Sequence, residues 1–393
     1  MKKIKYSLIS AIYFFGNYVL ASSALNFRIH HEYESPRALG MGDAFVALAN
    51  DYSAIFYNPA ALARRDDGQI NLYIGGSAAV DFFTFGQKIS EAADTNGSEA
   101  QKKSKVLSVL DDSYGDNYFV KLTMPNGIWA RPNWSVAVIP FTETLNMSIH
   151  KGFGPTLNVT SYTDTIMAYA LAKDFYWFES GRTSLGVTFK SIYRGYMNSS
   201  LSVVDSISSP STIVNPDFLS EGITFDADIG GLYTPEIPTE GFWSLLRLAR
   251  PTFGAVVRNV FDYGFTNNLH VYNKTNTTSK PERLYRRIDL GTRWEYPEFL
   301  IFGGRGVMDF RDILHPNVNF KKSLHLGFEF DWTMFTWWRG HYRFGVSQGY
   351  LTAGASALFS FFNLDLVTYS EDVGSRNESV ESRKFEIRMN IDI

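Results

Sequence analysis

The sequence predicts an all-β chain: a transmembrane antiparallel barrel of about fourteen strands. Three observations lead there. Segments along most of the 393 residues alternate apolar with polar side chains, the period of a strand with two unlike faces. About fourteen such segments are present, and single-chain bacterial membrane barrels use an even number. The connections between them are mostly long and short by turns, as in barrels with long outer loops and tight periplasmic turns.

The chain opens with a processing signal. Lys2, Lys3 and Lys5 form a basic region, Tyr6 to Leu20 an apolar core, and Ser22-Ser23-Ala24 a small-residue cleavage region. Cleavage is expected after Ala24, with Ala21 as the alternative; the apolar core is too short to span a bilayer comfortably as an anchor. Residues 1–24 are therefore assigned to a signal peptide, 25–66 to a separate N-terminal segment and 67–393 to the barrel. Phe 32, Tyr 22 and Trp 8 accompany a mean hydropathy of only −0.13, so apolar surface is abundant without collecting into long runs. No internal window of about 18 apolar residues offers a membrane helix. Cysteine is absent, which excludes disulfides, thiolate metal sites and cysteine nucleophiles. A net charge of −3 gives no reason to expect nucleic acid.

In chain order, strands are expected near residues 68–76, 116–124, 132–141, 160–173, 181–193, 223–233, 251–261, 284–295, 299–308, 323–332, 341–347, 351–359, 362–369 and 383–393. The last is the clearest, with Phe385, Ile387, Met389 and Ile391 alternating with Lys384, Glu386, Arg388, Asn390 and Asp392. A helix would scatter both sets around its axis. Long connections are expected at 77–115, 142–159, 194–222, 262–283, 309–322 and 370–382, and short ones at 125–131, 174–181, 296–298 and 360–361. Residues 348–350 and 234–250 break the order. In the first long connection, EAQKKSKVLSVL from Glu99 to Leu110 reads as a short amphipathic helix that lids the barrel.

Alternation alone also fits a soluble sandwich or propeller, in which the apolar face points inward. Aromatics near strand ends favour the membrane barrel: Trp129, Trp134, Trp177, Trp243, Trp294, Trp337 and Trp338, with Tyr73, Tyr118, Tyr233, Tyr296 and Tyr342, stand where interfacial girdles need them. The charged faces then point into the lumen. They supply Arg258, Arg287, Asp289, Arg293, Glu329, Asp331, Arg343, Asp365 and Arg388, together with Lys121, Lys190, Asp226, Asp228, Arg305 and Glu386. Both signs are interspersed, so a salt network between the N-terminal segment and the wall is the plain expectation and a polar path for a charged solute the sharper one.

The N-terminal segment contains SPRALGMGDAFVALANDYSAIFYNPAALA, from Ser35 to Ala63. Pro36 and Arg37 lead into Gly40-Met41-Gly42-Asp43, where the glycines permit positive φ or close backbone approach. Asn58 is placed to cap a turn, and Pro59 at the first position of the turn through Ala60 loses no needed donor. Gly-Met-Gly is no dinucleotide site, because no strand precedes it and the third glycine is missing. Residues 36–62 resemble the N-terminal segment of the FadL and PorV superfamily of bacterial outer-membrane barrels, in which such a segment folds into the lumen, and the resemblance implies that residues 25–66 are an N-terminal luminal plug. FDADIGGLYTP and PTFGAVVRNVFDYG, within Gly222–Gly264, look like paired strands of these barrels, and Arg343–Gly374 looks like their C-terminal hairpins. About a quarter of the chain carries recognisable motif. The chain departs from a common outer-membrane feature by ending in Ile393 rather than an aromatic residue.

The resemblance implies an outer-membrane protein with both termini periplasmic, surrounded by outer-membrane lipid. It implies passive uptake of hydrophobic or amphipathic, fatty-acid-like small molecules, captured by apolar outer-loop residues and admitted by displacement of the plug. Its alternative is a PorV-like barrel with a permanently closed lumen and secretion partner proteins. No catalytic set, P-loop or cofactor site is recognisable, so the chain is read as a non-enzyme without cofactor. His30-His31-Glu32 is no expected metal site, because adjacent histidines on an extended chain point to opposite faces.

Overall fold

The computed structural model describes residues 27–151, 155–175, 181–202, 219–238, 240–274, 279–299, 302–335 and 337–393. The expected signal peptide lies outside the described residues.

The alternating segments form fourteen strands: β1 Gln69–Ala79, β2 Asn117–Arg131, β3 Trp134–Lys151, β4 Pro155–Phe175, β5 Gly181–Ser202, β6 Ser220–Pro235, β7 Thr252–Arg258, β8 Arg287–Phe299, β9 Phe302–Ile313, β10 Leu324–Phe335, β11 Trp338–Ser347, β12 Tyr350–Phe359, β13 Phe362–Asp372 and β14 Glu381–Asp392. Each pairs antiparallel with its sequence neighbours, and β1 pairs with β14, for example Ile74 opposite Met389. The barrel is therefore closed and leaves no free sheet edge.

The direction of the faces separates this barrel from a soluble one. Along β14, Phe385, Ile387 and Met389 are 54%, 51% and 49% exposed, whereas Lys384, Glu386 and Arg388 are buried. The same inversion puts Leu122, Met167, Phe189, Phe225, Leu290, Phe328 and Phe344 on the outside. Apolar out and polar in is the pattern of a wall that faces lipid. Trp332, Trp337 and Trp338 gather with Phe335 and Phe359, and Trp129 with Trp134, at the rim where β1 begins and β14 ends, the terminal rim. Two expected girdle residues belong elsewhere. Tyr73 points inward against Tyr33, and Tyr118 stacks on Phe85, its ring 4.1 Å away. Trp177, and the side chains of Trp243 and Tyr296, fall outside what is described.

Several expected connections differ in extent, among them 296–298, which belongs to β8. Residues 125–131 are strand, and the turn falls at Pro132-Asn133, where Asn133 takes φ 70°. Pro125 and Pro140 sit instead where the β2–β3 and β3–β4 ladders are interrupted, since proline cannot donate there. The expected loop at 142–159 is mostly strand, because Thr142, Thr144, Asn146 and Ser148 continue the inward polar face. The connection at 80–116 holds two helices, α3 Val80–Ala93 and α4 Glu99–Asp111, so the helix read from Glu99 to Leu110 is present. Ser98 and Gln101 form a capping box at its start. Ala92, Val106 and Leu110 turn inward onto Tyr118, Ile149 and Leu157, a small separate core above the opposite, loop rim.

The plug holds two short helices, α1 Pro36–Gly40 and α2 Ala54–Tyr57, and a 3-10 turn at Pro59–Arg64. Its Phe45, Leu48, Ile55, Tyr57 and Leu62 form the main buried core with inward side chains of the wall such as Ile128, Ile139 and Ile166. Phe27 donates to Val373 O at the loop rim, 2.9 Å, while Asp392 ends β14 at the terminal rim. Phe27 and the end of β14 thus lie at opposite rims. The plug passes through the whole lumen before the first strand begins.

Candidate functional site

The N-terminal segment and the wall it packs against bring together most of the expected site residues. Gly42 has φ +66°, and a Cβ there would lie 2.5 Å from Val346 O, so only glycine fits. The wall is equally bare where the plug touches it. A Cβ on Gly186 would lie 2.5 Å from Ala60 N, and one on Gly345 2.5 Å from Met41 C. Gly40 rests against Arg343 and Gly354, and Thr352 Oγ1 donates to Gly40 O at 3.0 Å.

Polar groups then fix the register of plug against wall. Pro36 is buried at the first position of α1. Arg37 grips Glu329 with two nitrogens, at 2.7 and 2.8 Å, and also reaches Asp51 at 2.9 Å. Glu329 is shared with Arg343 at 2.8 Å and Arg305 at 3.3 Å. Asp43 accepts from Tyr57 Oη at 3.0 Å and pairs with Arg311. Asn58 Oδ1 caps Ala60 N at 3.1 Å, while its Nδ2 donates to Val46 O and to Gly231 O of the wall, at 2.9 and 3.1 Å. Pro59 follows at the first position of the 3-10 turn.

The expected lumen residues all stand on the inner face. Arg258 donates to Tyr57 O at 3.0 Å and pairs with Asp289 at 2.5 Å. Arg287 pairs with Glu32 and Asp312, at 3.3 and 3.1 Å. Asp365 pairs with Arg343, and Arg388 donates to Glu34 O at 2.7 Å. Arg293 and Asp331 are only partly covered, near the terminal rim, beside Glu295 and Arg305 respectively. His30 and His31 go to different strands, His30 to Asp164 at 2.8 Å and His31 to Asp312 at 2.9 Å.

Sequence reasoning missed other clamps. Asp309 Oδ2 accepts from Phe45 N and Val46 N, at 2.6 and 2.8 Å, and Arg28 pairs with Glu371 at 2.5 Å. Asp309, Arg311 and Asp312 fell in a stretch taken for loop, which hid them. Their signal was continued alternation past Met308.

Glu329, Asp331 and His341 place ligand atoms within 4.8 Å of one another. A cation there would compete with Arg37, Arg305 and Arg343 for the same carboxylates.

Cavities lie on both sides of the plug. The one toward the loop rim measures about 290 Å³ and is lined largely by polar groups, among them Asn146, Asn158, Tyr196 and Asn198. Toward the terminal rim lie cavities of about 1220 Å³, beside Arg64 and Leu48, and about 440 Å³, beside Asp51 and His341.

Fold and socket together define a plugged β-barrel of the outer-membrane type. The chain is similar in structure to the Pseudomonas putida toluene transporter TodX (TM-score 0.44, 9% identity, covering 93% of this chain and 98% of that one). It is also similar to the CymD monoaromatic hydrocarbon channel (0.43, 9%, 91% and 96%) and to a Pseudomonas aeruginosa FadL homologue (0.41, 11%, 93% and 98%). No family model matches the chain, and no curated protein does.

Proposed function

We propose that the chain is an outer-membrane barrel for passive passage of hydrophobic or amphipathic small molecules, with the N-terminal plug as its gate and the loop rim outermost. The observation that carries this reading is a plug bound by non-covalent contacts alone, with solvent-sized cavities on either side. A plug meant only to fill a wall would leave no such approaches. An apolar hollow of about 450 Å³ on β5 to β9, lined by Leu185, Phe253, Leu290 and Met308, adds a lipid-side surface beside β7, which spans only seven residues. No observation among the described residues favours secretion partners.

The cysteine-free chain makes the test clean. Ala60→Cys places one thiol at a fully buried plug position. Maleimide labelling in outer-membrane vesicles is expected to speed up when a permeating amphiphile such as decanoate is present. Deleting residues 25–63 is expected to abolish selective uptake while raising leakage of small polar solutes. Labelling indifferent to every amphiphile, with uptake equal to that of cells lacking the protein, would mean a fixed plug and end the reading.

A further inference from the structure

The terminal-rim cavity differs from the rest of the lumen in its charge balance. Deeper in the barrel, buried cations such as Arg28, Arg37, Lys121, Arg258, Arg311, Lys384 and Arg388 each have a carboxylate within ion-pair distance. The cavity of about 1220 Å³ is lined by six arginines, Arg64, Arg65, Arg182, Arg247, Arg250 and Arg293, against three carboxylates. Of the six, Arg182 is firmly neutralised, by Asp174 at 2.6 Å. Arg293 meets half-exposed Glu295 at 3.3 Å, and its Nε has no partner. Arg65 donates to Asn50 O and Gln69 Oε1, and its one carboxylate within ion-pair distance among the described residues is Asp67, 4.0 Å away and almost wholly exposed.

Arg64 is the sharpest case. Its Nε donates to Ser184 Oγ at 2.8 Å, one terminal nitrogen to Thr234 Oγ1 at 2.6 Å and the other to Arg182 O at 3.1 Å. All three acceptors are neutral, and no described carboxylate lies within ion-pair distance. A guanidinium carries five N–H groups, so two remain for a ligand. Burial, then the nearby Arg182 and Arg293 charges, push Arg64 down to about 10. The chain holds this side chain in place with hydroxyls and a carbonyl, and the Asp174 charge that works against the downward shift reaches it through the Ser184 hydroxyl rather than in a direct ion pair.

We infer that this cavity is an oxyanion site, in which Arg64, with Arg293 beside it, receives the carboxylate or phosphate group of an amphiphile or a free anion of the same chemistry. Charge-assisted, bidentate recognition of planar or tetrahedral oxyanions is what an unpaired guanidinium does best. The site goes beyond passage of apolar solutes, resting on that reading only for its place on a route, and lies at the rim opposite the polar cavity. It gives an amphiphile that has passed the plug a place for its head while the tail lies along Leu48, Leu232 and Leu248 of the same cavity.

Purified protein in neutral detergent, titrated with decanoate, decanol and inorganic phosphate by calorimetry, tests this. Decanoate is expected to bind roughly tenfold more tightly than decanol, and the margin is expected to shrink in high salt. Arg64→Gln removes the charge and keeps hydrogen-bonding capacity, and is expected to erase the margin; Arg64→Lys is expected to keep part of it. Phosphate that binds and competes with decanoate identifies the free oxyanion as sufficient. Phosphate that fails to compete, with decanoate still dependent on Arg64, assigns the site to amphiphile heads. Equal binding of decanoate and decanol overturns the proposal, as does decanoate binding unchanged in an Arg64→Gln protein of normal heat-dependent gel mobility. Plug-dependent uptake without this binding would sink the oxyanion site and leave the passage reading standing.

Discussion

Gly42 and Glu329 hold the plug by different physics, and their substitutions are expected to fail differently. Alanine at Gly42 must adopt φ +66° and push against Val346 O of a wall strand fixed in its ladder. Strain and overpacking together are expected to cost about 1–3 kcal/mol. Plug release followed through labelling of Ala49→Cys, another fully buried position, should therefore occur at lower temperature. Gly86→Ala is the control, since a Cβ there meets open space in helix α3. Glu329→Gln acts through charge. It leaves Arg37, Arg305 and Arg343 gathered around a neutral amide, each keeping one other carboxylate, Asp51, Asp331 and Asp365 respectively, so the expected loss is about 1.5–3 kcal/mol. Pairing it with Arg37→Gln removes one of the three cations left facing the amide, so the double variant should lose less than the sum of the singles in urea unfolding from lipid vesicles.

At the scale of elements, the wall and the loop-rim helices are separable. Helices α3 and α4 pack their apolar faces on Tyr118, Ile149 and Leu157, above the lipid-facing part of the barrel. Replacing residues 80–113 by a short glycine-serine linker is expected to leave heat-dependent gel mobility unchanged and to raise dye binding to the uncovered apolar patch. The strands themselves were readable because alternation is a local property. Each of the fourteen expected segments overlaps a strand, and the last runs as predicted, since Lys384 to Asp392 keeps strict period two. Strand ends were less readable. Thr142 to Ser148 is short and polar, which resembles a loop until its inward face finds the lumen. The motif from Pro36 to Ala60 announced a turn-rich segment, and Gly42, Asn58 and Pro59 do shape it. Its partners were hidden, because Arg28 meets Glu371 and Arg37 meets Glu329 across hundreds of residues, and only barrel closure brings them together. The bare arginines around Arg64 were invisible for the same reason: a missing counter-charge is a fact of three-dimensional arrangement.

For the whole molecule, the decisive question is which solvent the outer face meets, and one residue position can ask it. Ile387 is half exposed in the middle of β14, opposite Gly76 of β1 and Leu366 of β13. In a water-soluble barrel, arginine at such a site would be close to neutral, since surface changes away from special features stay within about 0.5 kcal/mol. In a bilayer the same side chain must enter hydrocarbon or snorkel out of it, at about 2–4 kcal/mol near the midplane. Ile387→Arg is therefore expected to lower stability by that amount in lipid vesicles and much less in detergent, where the micelle deforms around the charge. Arg388→Ile, one residue along, reverses the logic. It strands Glu386 and the Glu34 carbonyl inside the lumen, so its cost should be similar in vesicles and detergent, because neither solvent reaches them. Unfolding of both variants in both media gives four numbers. A lipid-facing wall predicts that only the Ile387→Arg cost depends on the medium. Equal costs for Ile387→Arg in the two media would remove the membrane from the account of this fold.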